Sequence, residues 1–330
     1  MVTELDYLTI LFYFSAFAAS AFLSACIFLI ATSTPYPIVH RNSKEKHFVA
    51  PNGVQFPCPS MSENASLDLS VVIPAYNEEE RLPVMLDECI GFLEDNVRCN
   101  GLSYEIIVVS DGSKDKTVEV AQKYISKLGS EKMRVLDLIT NRGKGGAVRL
   151  GIQSTRGRLI LFADADGATK FSDYNKVEKG LFNLLQTEDR GIIESKLAIS
   201  IGSRAHLQDE AVASRSFFRT ILMYGFHFLV WFFAVRGIRD TQCGFKLLTR
   251  KAAKICFDNL HVERWAFDVE MLYIAQTVKI PIAEIAVNWT EIDGSKVTPV
   301  WSWVQMGKDL GLIWLRYLIG AWKIKEVKEE

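Results

Sequence analysis

The sequence predicts an α/β fold with a mostly parallel sheet, carried on one N-terminal membrane helix. Two observations predict the sheet: short apolar runs alternate with helical stretches between Leu69 and Ala163, and polar residues gather just after each run. A third predicts the membrane helix. From Tyr7 to Ala31 there are 25 positions without a charged residue, and ~20 apolar residues suffice to cross a bilayer.

The N-terminal segment is read as a retained anchor rather than a cleaved leader. Its apolar core is longer than a leader's, no Lys or Arg precedes it, and no small-x-small cleavage pattern follows. Glu4 and Asp6 precede the span, whereas Arg41, Lys44 and Lys46 follow it. Positive-inside bias then puts everything after Ala31 in the cytosol. The six cysteines would there be reduced thiols, and none has zinc-type C-x-x-C spacing. Lys+Arg 38 against Asp+Glu 39 leaves a net charge of -1, so no nucleic-acid partner is expected.

Residues 32–68, rich in Pro, Ser, Asn and charge without periodicity, read as a polar linker. Strands are expected at Leu69–Ile73, Glu105–Val109, Arg134–Ile139 and Leu159–Ala163, with helices at Arg81–Leu93, Thr117–Leu128 and Gly145–Ser154. An aromatic-rich stretch, Phe217–Val235, contains Arg219 and His227 and is a poor span; it suits a membrane interface at least as well as a buried core helix. The Trp-rich C-terminal stretch, interrupted by Lys308, Asp309 and Arg316, reads as an in-plane interfacial helix. The expected division is therefore an anchor at 1–31, a linker at 32–68, a catalytic domain at 69–298 with a membrane-facing segment at 215–237, and an interfacial helix and tail at 299–330.

Asp164-Ala165-Asp166 ends the fourth strand. In extended backbone, residues i and i+2 share a face, so two carboxylates would repel unless a cation lies between them. Hard oxygen ligands favour Mg²⁺ or Mn²⁺, completed by substrate phosphates. Asp111, ending the second strand, suits the base or ribose of a nucleotide, and equally a plain Asp-Gly turn. Pro74, Tyr76 and Glu78 follow the first strand and would frame the same base. Asn141–Gly146 opens a helix without being a P-loop. Its backbone N–H groups and Lys144 suit phosphate, or it is simply a glycine-rich turn. Arg204, Arg215, Arg219 and Lys296 suit a lipid phosphate beside a membrane-facing surface, or are surface charges.

Val71–Glu78, Val108–Ser113 and Asp164–Asp166 together resemble glycosyltransferase family 2, with its GT-A fold. Asp240–Lys246, Glu263–Glu270, Trp289–Glu291 and Gly294–Lys296, with the single anchor, narrow the resemblance to the members that glucosylate dolichyl phosphate at the endoplasmic reticulum. It covers roughly 69–296. The resemblance implies UDP-glucose as donor, dolichyl phosphate as acceptor, a lipid bilayer as partner, and a β-linked product for N-glycan precursor assembly. Mannosyl relatives carry an Arg before their Gly-x-Ser-Lys stretch; residues 289–293 have none, so only Lys296 carries over. His261–Trp265 is similar to the Q-x-x-R-W of processive synthases but lacks the Gln.

A single in-line displacement at the sugar C1 is the expected chemistry, with catalytic roles for Asp166 and Asp268. Asp268 falls where inverting relatives place a base; a positioning or electrostatic role, or helix capping, is the reading here. A phosphate acceptor with a second pKa near ~6 needs little help from a base. A mannosyltransferase using GDP-mannose, a protein- or polysaccharide-directed transferase, and a non-catalytic scaffold of the same fold are the competing readings.

Overall fold

The computed structural model describes residues 4–207, 225, 229, 230, 232, 233, 235–292 and 299–325. Helix α1 (Glu4–Thr32) opens the chain. Its 29 residues rise ~43 Å, against a hydrocarbon core of ~30 Å. Tyr7–Thr32 is long and apolar enough to cross a membrane, with mean hydropathy 2.1 and 6% of its apolar window buried. Phe12, Phe14, Phe17 and Phe22 all face outward.

The stretch expected as a linker is instead folded onto the domain. A short 3-10 turn at Ser43–Lys46 leads into the antiparallel hairpin β1 (His47–Val49) and β2 (Gln55–Pro57). Phe48 and Met61 are buried in the core. Strands of three residues carry no readable period, which is why composition alone suggested a linker.

The α/β core follows in order: β3 (Leu67–Ala75), α2 (Leu82–Asn100), β4 (Tyr104–Ser110), α3 (Thr117–Leu128), β5 (Met133–Asp137), α4 (Lys144–Ile152) and β6 (Gly157–Ala163). Helix α2 runs past the expected Leu93 because nothing breaks it before Gly101, which caps it in the left-handed region at φ 65°. Then come α5 (Tyr174–Leu185), α6 (Arg190–Ile193), β7 (Ile199–Ser203), β8 (Phe245–Thr249), α7 (Arg250–Asn259), α8 (Phe267–Thr277), β9 (Ile282–Ala286) and α9 (Pro299–Leu318).

Seven strands form one sheet in the order β5-β4-β3-β6-β8-β7-β9. β8 is antiparallel to both its neighbours, and the remaining pairings are parallel. The sheet is mixed and mostly parallel, as expected. Its strands bury alternate residues in two separate cores. Val72, Ile107, Val109, Ile160 and Phe162 pack on one face, and Val71, Ile73, Ile106, Val108 and Leu161 on the other. Both faces are covered, so β4 is buried at every position.

The strand order reverses between β3 and β6. The chain leaves β3 for β4 and β5 on one side, then returns to lay β6 on the other. Loops leaving β3 and β6 diverge there, and this opens a crevice beyond the strands' carboxyl ends.

Helix α9 docks through Met306, Leu310 and Ile313, whose i, i+4, i+7 spacing puts them on one stripe. The tail beyond it turns back. Lys323 N donates to Pro35 O at 2.8 Å and Lys325 N to Asn259 Oδ1 at 2.7 Å. The end of α9 is thereby tied to the residues that leave α1.

Candidate active site

A cleft of about 520 Å³ sits at this crevice. It is lined by Pro74 near the end of β3, Tyr76 and Glu78 after that strand, Asp111 after β4, Lys144 at the start of α4, and Asp164 and Asp166 after β6. Arg204 after β7 and Asp268 on α8 complete it. The sequence-predicted residues that the structure describes therefore converge on one cavity. Arg215, Arg219 and Lys296 lie outside the described residues, as does most of the 217–235 aromatic stretch.

Loops around the cleft are fixed by side-chain bonds to backbone. Asn77 sits in the left-handed region (φ 53°), a conformation that Asn tolerates. Its Oδ1 accepts from Lys114 N at 2.8 Å, and Thr117 Oγ1 accepts from Glu78 N at 2.8 Å. The loop after β3 is thus stitched to the loop after β4, which holds Tyr76 at the rim. Glu78 pairs with Arg81 at 2.6 Å.

Asp111 faces the cleft, and its carboxylate is also a clamp. Oδ1 accepts from Arg142 N at 2.7 Å and Oδ2 from Gly143 N at 2.9 Å. Burial pushes its pKa up against the pull of these two amides. Gly146 N donates to Glu263 O. The amides of Arg142, Gly143 and Gly146 therefore serve the protein, so the loop 141–146 does not offer them to phosphate as expected. Its charge enters the cleft through the Lys144 side chain instead. Gly145 allows the tight fit of α4 beside α8, since a Cβ there would fall 2.4 Å from Phe267 Cβ.

Lys144 Nζ lies 2.6 Å from Asp164 Oδ1 and 2.9 Å from Oδ2. Burial alone would lower the pKa of this ammonium, but Asp164, Asp268 and Asp166 around it hold it above the ordinary lysine value. Asp164 is itself placed by the antiparallel partner of β6. Its N–H donates to Gly244 O at 2.9 Å, and a Cβ on Gly244 would sit 2.0 Å from Asp164 Oδ2. Only glycine fits under that carboxylate. Asp166 Oδ1 accepts from Ala168 N at 3.0 Å, an Asx turn that aims the loop after β6.

Arg204 stacks over Trp289 at 5.4 Å and forks onto Asp240, with Nε 2.7 Å from Oδ2 and Nη2 2.9 Å from Oδ1. Burial opposes both charges, yet the pair wins: Arg204 is raised and Asp240 lowered. Asp268 accepts from Lys246 Nζ at 2.5 Å, and Lys246 also donates to Cys243 O at 2.7 Å. Burial pushes Asp268 up, while Lys246 and Lys144 pull it down.

Sequence reasoning missed Lys246, Asp240, Arg81, Arg264, Trp265 and Trp289. A signal existed for Lys246. It is a lone cation inside the apolar run Phe245–Leu248, and a buried charge needs a partner. Arg264 and Trp265, from the stretch that lacks its Gln, also line the cleft.

Residues 70–254 match the family model described as Glycosyl transferase family 2. The chain is 57% identical to the dolichyl-phosphate beta-glucosyltransferase of Drosophila melanogaster over 322 residues, 97% of each chain. It is 57% identical to the Homo sapiens protein of the same name over 316 residues, 96% of each. The chain belongs to glycosyltransferase family 2, in its dolichyl-phosphate β-glucosyltransferase group. The mannosyl and scaffold alternatives do not fit this glucosyltransferase group. A solved structure, glucosyl-3-phosphoglycerate synthase from Mycobacterium tuberculosis in complex with uridine-diphosphate, is 16% identical with a TM-score of 0.49, covering 77% of this chain and 81% of its own.

Proposed function

We propose that this transferase moves glucose from UDP-glucose to dolichyl phosphate with inversion, giving dolichyl β-glucosyl phosphate. The observation that carries the reading is the convergence of Asp164, Asp166, Lys144, Arg204 and Asp268 on one cleft, in a chain so similar to enzymes named for that reaction.

In this reading Pro74, Tyr76, Glu78 and Asp111 hold the nucleoside, and Lys144 with Asp164 faces the diphosphate. Asp164 and Asp166 offer hard oxygens suited to Mg²⁺ or Mn²⁺, and no cluster of three or more metal-ligating side chains exists among the described residues. Two carboxylates fit an ion whose coordination the donor phosphates complete. When bound, such an ion acts as a Lewis acid on the departing diphosphate.

The acceptor phosphate oxygen attacks C1 of glucose as the C1–O bond to UDP breaks. The acceptor is already largely dianionic at cytosolic pH, given a second pKa near ~6, so no strong base is required. Asp268 fits this chemistry. Locked to Lys246, it supplies fixed negative charge near C1 rather than an open base. Arg204, held by Asp240, faces the acceptor side, where Arg215, Arg219 and Lys296 would join it to offset the repulsion between two anions.

Helix α1 anchors the enzyme in the endoplasmic reticulum membrane, with the cleft on the cytosolic side. The test is to incubate the membrane-bound protein with labelled UDP-glucose or GDP-mannose, with and without dolichyl phosphate and Mg²⁺. Label should enter lipid only from UDP-glucose with both additions. Transfer from GDP-mannose alone, or none from UDP-glucose, would overturn the reading.

A further inference from the structure

The segment joining the anchor to the sheet reaches the active-site loop directly. Glu45 lies in it and is 1% exposed. Its Oε2 accepts from Arg142 Nη2 at 2.7 Å and from Asn42 N at 3.0 Å, and its Oε1 accepts from Ile139 N at 3.1 Å. Arg142 Nη1 donates to His40 O. Beside it, Arg41 Nη2 donates to Leu150 O at 2.7 Å and to Ser154 Oγ at 2.5 Å, gripping the far end of α4. Phe48 is buried under the Arg134 guanidinium at 4.5 Å, which fixes the hairpin to β5.

Arg142 is gripped on both sides of its backbone. Its side chain is held by Glu45 and His40, while its N–H and that of Gly143 hold Asp111. The next residue is Lys144, bound to Asp164. One buried carboxylate therefore anchors the loop that carries Lys144 into the cleft and whose amides hold the Asp111 carboxylate. Charge-assisted bonds from a buried carboxylate are among the strong ones, and a loop displaced by ~1 Å costs a site much of its power.

We propose that Glu45 is a positioning residue for the nucleotide-sugar donor, acting through Arg142, and that residues 39–48 are a strap of the donor site rather than a tether. The proposal rests on the donor half of the reading above. It places no demand on the acceptor side.

The full-length enzyme in detergent, as wild type, Glu45→Gln, Arg142→Gln and the double variant, provides the test. Donor and acceptor KM would be measured, with amide exchange over residues 139–146 by mass spectrometry. Arg142→Gln keeps both backbone donors to Asp111 and breaks the tie from its less buried end, so it serves if Glu45→Gln folds poorly. Either single variant should raise the donor KM roughly ten-fold and leave the acceptor KM within about two-fold. The double variant should add little to either single change. Amides of 139–146 should exchange faster in each variant. An unchanged donor KM with wild-type exchange overturns the proposal, as does an equal rise in both KM values. Faster exchange in the variants of a wild type that does not use UDP-glucose would instead uphold the strap and refute the donor assignment.

Discussion

Two lysine–aspartate pairs border the same cleft and are built differently. Lys144–Asp164 is open, with side chains 17% and 32% exposed. Lys246–Asp268 is closed, at 0% and 5%. The open pair can exchange partners: a cation or a diphosphate can reach either member and take the other's place. The closed pair cannot, because parting it would leave an unpaired charge in the core. In the proposed function, chemistry that must change hands during turnover therefore belongs on the first pair, and fixed field on the second.

The largest expected effect breaks the closed pair. Lys246→Met leaves Asp268 buried without its hydrogen-bonded cation, and should cost about 3–5 kcal/mol of folding stability in a denaturant titration. Restoring most of that loss by a second change, Asp268→Leu, would show that the charge and not the packing is responsible. A fully stable Lys246→Met would remove the distinction between the pairs.

Next comes the chemistry of the open side. Asp166→Asn should cut turnover by at least ~10²–10³-fold while leaving the unfolding midpoint close to wild type. Near-normal transfer by this variant with Mg²⁺ would sink the metal assignment. Smaller again, Lys144→Met frees Asp164 from its internal cation. Turnover should fall, yet half-saturation by Mg²⁺ should need roughly three- to ten-fold less metal, about 0.7–1.4 kcal/mol. A higher Mg²⁺ requirement would show that Lys144 assists the metal rather than competing with it.

The Arg204–Asp240 pair sharpens the same contrast through pH. Asp240 is lowered in the folded state; burial opposes this, and Arg204 overcomes it. Its contribution is present above the ordinary aspartate value of 3.8 and is lost as pH falls through the depressed folded value. Asp240→Asn should therefore be less stable than wild type at neutral pH, and the gap should close in acid below that ordinary value. A gap that persisted there would refute the linkage. The smallest effect is expected from removing residues 1–31. Helix α1 is mostly exposed, with Cys26 buried, whereas the segment beginning near Val39 remains, so the donor KM should stay within about two-fold of wild type.

The side of the cleft built from β3 to β6 was legible because each element announced itself locally. Leu69–Ile73 and Leu159–Ala163 are short, mostly apolar runs that read as buried strands, and Asp111, Asp164 and Asp166 fall at strand ends where α/β sheets place ligands. The Thr117–Leu128 helix was legible from its spacing alone. Nothing local marked Glu45, since one glutamate among Lys and Ser reads as solvated surface. Its partner is Arg142, 97 residues away. Lys246 and Asp240 were quoted within a motif without roles, because a sequence does not say which opposite charge, close in space and distant in sequence, will meet each one.

The sequence by itself determined the α/β core, the apolar N-terminal helix, the family and those cleft residues that fall just beyond the ends of the strands. Hydrophobic periodicity and turn chemistry act over a few residues and are written into the chain directly. The tertiary structure alone decided the pairing: Lys144 with Asp164 in the open, Lys246 with Asp268 in the dark, Arg204 with Asp240, and the segment around Glu45 folded against the loop that holds Arg142. These choices follow from which distant segments the sheet order brings together, and from the cost of leaving any buried charge without a partner.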